Sequence, residues 1–133
     1  MNAQERVIPS PVPTEDTKPF WEAAAQGRFL IKRCLACEQA HWYPRALCPF
    51  CFSERTEWQP ATGGGVIYSY SVMRRATPPY VVAFVTLDEG PTMLTNIVAC
   101  DPDSLVIGQK VRVVFRSTDG PLLVPVFQLA EAG

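Results

Sequence analysis

Four cysteines carry the clearest chemistry in this chain: Cys34-Leu35-Ala36-Cys37, ten intervening residues, then Cys48-Pro49-Phe50-Cys51. Thiolates are soft, charged ligands, and four of them at about 2.3 Å around Zn²⁺ make a closed tetrahedral site. Each short pair acts as a knuckle, a tight turn that puts both sulfurs on one side, and Pro49 and the small Ala36 suit such turns. The interval is shorter than the usual ~15–20 residues of four-cysteine sites, but it can hold a short hairpin. Iron binds the same four thiolates in a rubredoxin-like site, so zinc comes first and iron stays open. The competing reading, paired disulfides or redox C-x-x-C motifs, lacks both a secretory leader and a βαβ pattern.

Other candidates for chemistry are weaker. His41 is the only histidine; with four cysteines already satisfying a metal, it reads as a packed or surface side chain. No obvious nucleophile stands beside it, so a Ser-His-Asp or Cys-His site has little support. Gly63-Gly64-Gly65 is followed by no Lys-Ser/Thr and opens no helix, which excludes a P-loop and leaves a hinge and strand entry. No acid and base are paired at catalytic spacing, and a closed zinc site has no position for water. The chain therefore reads as non-catalytic.

These ligands must be positioned by a chain of 133 residues with 47% hydrophobic side chains, enough for one ordinary core or a small core plus a metal-held module. The formal charge is −1, and neither half is basic, which weakens electrostatic binding to nucleic acid or anionic membrane. Cys100 is left as an unpaired thiol, which fits a reducing compartment. There is no charged leader followed by an apolar run, and no apolar stretch of the ~20 residues that a membrane helix needs. The expectation is a soluble, cytoplasmic protein without membrane contact.

Three segments are expected: an extended arm over 1–19, a helix with a metal ribbon over 20–60, and a barrel over 61–130. Pro9, Pro11, Pro13 and Pro19 disfavour helix in the first, which reads as a tail or as an arm laid on a partner through Val7, Ile8 and Val12. Thr17 or Lys18 caps a short helix with Pro19 at its first position, and Gly27 ends it. A helix this short must bury Phe20 and Trp21 against the rest of the chain or a second protein. With Trp42, they are the candidate partner-docking residues.

Beyond the glycines the apolar period becomes two. Val66–Met73 places Tyr68, Tyr70 and Val72 on one face; Tyr80–Leu87, Met93–Cys100, Val111–Arg116 and Leu122–Leu129 complete five strands. Asp101-Pro102-Asp103-Ser104 reads as a helix start with Gly108 as its stop, and Pro125 belongs at an edge or bulge. Five strands with a short helix between the third and fourth describe an OB barrel. Such barrels bind oligonucleotides through basic grooves and aromatic platforms. Arg74, Arg75 and Tyr80, with Tyr68 and Tyr70, are the minimum set here, and the same arginines could meet phosphates of a smaller anion such as coenzyme A.

Several runs, taken together, resemble one known family: Phe20-Trp21-Glu22, Gly27-Arg28-Phe29-Leu30, the cysteine pairs around Tyr43-Pro44-Arg45, Gly65-Val66-Ile67-Tyr68-Ser69-Tyr70, Pro79-Tyr80-Val81-Val82, Asp88-Glu89-Gly90, Ile107-Gly108-Gln109-Lys110-Val111-Arg112-Val113 and Pro125-Val126-Phe127. The family is domain of unknown function 35, the zinc-ribbon and acyl-CoA-associated OB-fold proteins, and the resemblance runs from about residue 18 to residue 129. It implies an N-terminal helix, a rubredoxin-like zinc ribbon with ligands Cys34, Cys37, Cys48 and Cys51, and a C-terminal OB barrel without catalysis of its own. It also implies a thiolase-like, aldolase or hydratase partner and a part in holding acyl-CoA; two copies could pair in isolation. A glycine often follows each cysteine pair in the family, whereas Glu38 and Phe52 stand there in this chain. The alternative function is an independent OB module that binds nucleic acid.

Overall fold

The computed structural model describes residues 7–130. Helix α1 (Lys18–Ala24) follows Thr17, with Pro19 in its first turn. Thr17 does not cap with its side chain; its buried hydroxyl turns back to Thr14, accepting from Thr14 N at 3.0 Å. The helix ends before Gly27, whose φ of +75° is the left-handed conformation that glycine adopts without a Cβ penalty.

The ribbon is a three-stranded antiparallel sheet with β1 (Leu30–Cys34) between β2 (Ala40–His41) and β3 (Thr56–Pro60). The segment between the cysteine pairs does not form its own hairpin. It contributes only β2, which pairs back with Lys32 and Arg33 of β1. Strands of two and five residues bury little by themselves, so this sheet depends on what closes it at either end.

The barrel is formed by β4 (Gly64–Met73), β5 (Tyr80–Leu87), β6 (Thr92–Ile97), β7 (Lys110–Ser117) and β8 (Leu123–Leu129), closed in the order β4-β5-β6-β8-β7. This is the expected OB arrangement, since β7 returns to β4 through Gly64↔Arg112, Gly65↔Val111 and Val66↔Lys110. The β6–β8 seam is thin: a single parallel bridge, Ile97↔Phe127, supported by Val98 N donating to Phe127 O at 2.8 Å. Pro125 sits beside this seam, where its missing N–H removes no second ladder.

Three expectations are corrected here. A β-bulge between Ile67 and Ser69 gives Tyr68 no partner on β5, so Tyr68 points outward while Tyr70, opposite Ala83, turns toward the core. The bulge resets the period of two, which a sequence count cannot see. The helix expected over 101–108 is a single 3₁₀ turn, Pro102–Ser104, with the Asp101 carboxylate accepting from Asp103 N. The backbone beyond it is satisfied elsewhere: Val106 N donates to Gln109 Oε1 at 2.7 Å and Gly108 N to Ile67 O at 2.8 Å. The triglycine segment is a latch rather than a hinge. Thr62 N donates to Glu89 Oε2 at 2.8 Å, Thr62 Oγ1 to Asp88 Oδ2 at 2.7 Å, and Val113 N to Gly63 O at 2.7 Å.

Helix, ribbon and barrel share one core. Phe20 is fully buried, with ring centroids 4.9 Å from Trp21 and 5.1 Å from Trp42. Phe29 extends the cluster to Trp42 at 5.9 Å, Phe115 at 6.4 Å and Phe127 at 6.3 Å. The expectation that Phe20, Trp21 and Trp42 present apolar surface to a partner is therefore corrected: Phe20 and Trp21 are buried, Trp42 is half-buried, and all three join the ribbon to the barrel. The arm lies on its own barrel, with Ser10 N donating to Asp119 Oδ1 at 2.8 Å and Asp119 N to Ile8 O at 2.9 Å. Residues 1–6 of the expected arm fall outside the described residues.

Phe20→Ala empties the centre of this cluster and is expected to cost about 3–5 kcal/mol of stability. Urea unfolding of the metal-loaded protein, followed by both tryptophan fluorescence and circular dichroism, checks it. An unchanged midpoint would mean that ribbon and barrel do not share a core.

Candidate metal centre

β1 ends on Cys34 and delivers its sulfur to the end of the ribbon, where two matching turns follow. In the first, Glu38 N donates to Cys34 O at 2.9 Å, and in the second, Phe52 N donates to Cys48 O at 2.8 Å. Each turn also aims N–H groups at its first sulfur: Ala36 N and Cys37 N lie 3.3 and 3.4 Å from Cys34 Sγ, and Phe50 N lies 3.4 Å from Cys48 Sγ. Such donors stabilise negative charge on sulfur. Both turns close on a left-handed residue, Glu38 at φ 65° and Phe52 at φ 64°, the two places where a glycine would be free of strain.

The four sulfurs converge. Cys34 Sγ lies 3.6 Å from Cys51 Sγ, Cys37 Sγ lies 3.6 Å from Cys48 Sγ, and all four fall within 4.8 Å of one another. Sulfurs placed tetrahedrally about 2.3 Å from one ion would be about 3.8 Å apart, so the cage has the dimensions of a metal site, and its thiolate donors suit zinc or iron. Cys34 and Cys48 are buried, Cys37 is half-buried and Cys51 is exposed. The N–H of Cys37, against burial and helped by Ala36 N–H, draws the Cys34 thiol down to about 6. Cys37, despite the N–H of Gln39, is pushed up to about 12 by burial and the neighbouring thiols. Four thiolate charges within 4.8 Å of one another repel, so a cation that bound here would expel protons as it loaded.

His41 does not join this cluster. It is buried in β2, and burial, then Lys32 and Arg45, push its pKa below the ordinary imidazole value, so it packs as a neutral ring. Cys100 also stands apart from the cluster, half-buried.

The barrel candidates gather at one hairpin. Arg74 and Arg75 follow β4, and Tyr80 opens β5 opposite Met73, so all three border the 74–79 loop. Arg74 Nη2 meets Asp103 Oδ1 of the 3₁₀ turn at 2.9 Å, while Arg75 is exposed and makes no ion pair among the described residues. Tyr70 is half-buried and donates its hydroxyl to Leu105 O at 2.8 Å, which removes it from any surface platform. The knuckles also expose apolar side chains, Leu35, Phe50 and Phe52, for which apolar residues inside turn motifs are the sequence signal. No helix among the described residues is long and apolar enough to cross a membrane.

A three-stranded ribbon closed by four cysteines and fused to a five-stranded barrel defines a rubredoxin-like zinc-ribbon and OB-fold protein. The family model of the ChsH2 rubredoxin-like zinc ribbon domain matches residues 21–57, and that of the ChsH2 C-terminal OB-fold domain matches residues 58–116. A DUF35 domain-containing scaffold protein of Methanothermobacter thermautotrophicus is 42% identical over 110 residues, covering 77% of this chain and 83% of that protein. A probable enoyl-CoA hydratase alpha subunit of Thermomonospora curvata is 38% identical over 127 residues, 92% of this chain, and the chain spans 40% of that subunit's length. Among solved structures, a chain of the Ltp2-ChsH2(DUF35) aldolase superposes with a TM-score of 0.79 at 37% identity, covering 90% of this chain and 98% of that one. This chain belongs to the DUF35 family.

Two substitutions test the centre. Cys34→Ser is expected to lose the metal and disorder residues 30–60, read by metal analysis and amide exchange; a variant with full metal and a native ribbon would refute the ligand set. Phe52→Gly relieves a left-handed residue whose side chain is 75% exposed and is expected to stabilise the loaded protein by about 0.5–1 kcal/mol. A lowered urea midpoint would show that the Phe52 ring contributes more than its backbone strain costs.

Proposed function

We propose that the chain is a non-catalytic accessory subunit that docks a thiolase-like, aldolase or hydratase enzyme and helps to position its acyl-CoA. The observation that carries this reading is its similarity, over nearly the full length of the DUF35 chain, to a structure described as an Ltp2-ChsH2 aldolase. The scaffold name borne by the archaeal relatives supports it.

In this reading Cys34, Cys37, Cys48 and Cys51 hold Zn²⁺ as a structural ion. Four protein ligands leave no open position for water, so the metal would supply folding energy rather than a nucleophile. Arg75 and Arg74, with Tyr80 across the hairpin, are the residues that would meet the phosphates of coenzyme A. The Arg74–Asp103 pair is 66% and 74% exposed, so it restrains Arg74 only weakly. The alternative, a nucleic-acid module, would need more cations than this one loop offers.

Calorimetric titration of the zinc-loaded protein with an acyl-CoA tests the reading. Removing one charge-assisted contact is worth about 1.5–3 kcal/mol, so Arg75→Ala is expected to weaken binding by roughly 10-fold or more. Acyl-CoA binding that is indifferent to Arg75→Ala and Arg74→Ala would exclude this loop. Tighter binding of a single-stranded oligonucleotide, with a steep salt dependence, would favour the nucleic-acid module.

A further inference from the structure

Strands β4, β5 and β6 together contain no Lys, Arg, Asp or Glu, although the chain carries 12 basic and 13 acidic side chains. On β5, Val81, Ala83, Val85 and Leu87 fill the interior, which leaves Tyr80, Val82, Phe84 and Thr86 facing outward. Phe84 pairs with Leu94 on β6 and with Ser69 on β4, next to the bulged Tyr68. Tyr68, Phe84 and Leu94 therefore form one row across three strands, and they are 66%, 44% and 57% exposed.

The surroundings of this row are polar but uncharged: Ser71 is exposed, and Thr86 and Thr92 join hydroxyls at 2.9 Å. On the far side of β4, by contrast, β7 brings Lys110 and Arg112. A solvated sheet face normally carries charge, whereas an aromatic and aliphatic centre inside a neutral polar rim is the anatomy of a protein interface. Charge also selects the occupant. Nucleic acid or an anionic lipid surface would find only Lys110, at the β7 border of this face beside Val66, while a neutral apolar protein surface seated on β4, β5 and β6 would leave none of their side chains charged, buried and unpaired. The knuckle patch is a poorer match, since its apolar side chains alternate with Glu38, Arg45, Glu54 and Arg55.

We propose that the outer face of β4, β5 and β6, centred on Tyr68, Phe84 and Leu94, is where the enzyme subunit seats. This rests on the accessory-subunit reading above and adds the surface to it. The face is continuous with the loop that would meet acyl-CoA, because Tyr80 and Phe84 share the outward side of β5 and Tyr80 pairs with Met73 at the mouth of that loop. An enzyme seated here would border the loop, which a second copy of this chain would gain nothing from.

The test uses the full zinc-loaded chain and the Ltp2 aldolase subunit as probe, with mass from light scattering and affinity from calorimetry. The parent is expected to form a defined complex. Phe84→Lys and Leu94→Glu should each weaken it by about 30-fold or more, as hot-spot residues do, with metal content and thermal midpoint unchanged. Tyr68→Ser, at the bulge and outside the ladder, is the milder variant if a charge disturbs the sheet, and Phe50→Glu on the knuckle should change affinity by less than about 3-fold. Parent-like binding by the sheet variants, or loss only with Phe50→Glu, overturns this surface and leaves the accessory reading standing. A parent that does not bind the aldolase overturns both. Self-association abolished by Phe84→Lys would give the face to a second copy and overturn the enzyme occupant.

Discussion

The constraint on which the rest of this structure depends is that neither module has enough core of its own. A ribbon of strands two and five residues long and a helix of seven cannot offset the entropy of ordering them. The chain meets this from both ends of the ribbon. At one end four sulfurs gather into a cage; at the other, Phe20, Phe29 and Trp42 reach Phe115 and Phe127 of the barrel. The metal can therefore hold the knuckles without holding the domain, and the aromatic cluster ties the ribbon to the barrel whatever ion occupies the cage.

The same sharing explains which parts of the fold were legible in the sequence. The cysteine spacing was, because a four-thiolate cage follows from ligand type and the reach of a tight turn, and strand order followed from apolar alternation between turn residues. Tyr68 was not legible: a bulge inserts one residue, and nothing in Val-Ile-Tyr-Ser-Tyr-Ser-Val says which one drops out of register. The capping residues at Asp101 set only the start of a helix and not its length, which is one 3₁₀ turn. Val106 and Ile107, both β-branched and exposed, gain nothing from a continued helix once Gln109 and Ile67 take the backbone bonds.

Phe20 and Trp21 show a different limit. Two adjacent aromatics on a short helix must be buried, but sequence alone does not say against which molecule. Here the answer is intramolecular, and the apolar side chains left at the surface are others. Tyr68, Phe84 and Leu94 are ordinary strand residues by type; only the closed barrel, with its interior filled by the opposite side of each strand, reveals that they face outward in one row on three strands that carry no charge of their own.

Rigidity links these parts into a scaffold. Thr62 is held by Asp88 and Glu89, and Gly63 accepts from Val113, so the passage from ribbon to barrel is fixed at several points rather than at a single joint. Gly65 has no room for a side chain, since a Cβ there would lie 2.6 Å from Thr86 O and 2.8 Å from Val85 Cγ1. A body locked in this way transmits position. Whatever seats on the outer sheet face is placed at a set distance from the Arg74–Tyr80 loop and from the four-cysteine knuckles. Under the proposed accessory role, a chain that supplies no chemistry would serve its enzyme through that geometry, because effective concentration depends on how firmly the groups that hold a substrate are fixed relative to the surface that holds the catalyst.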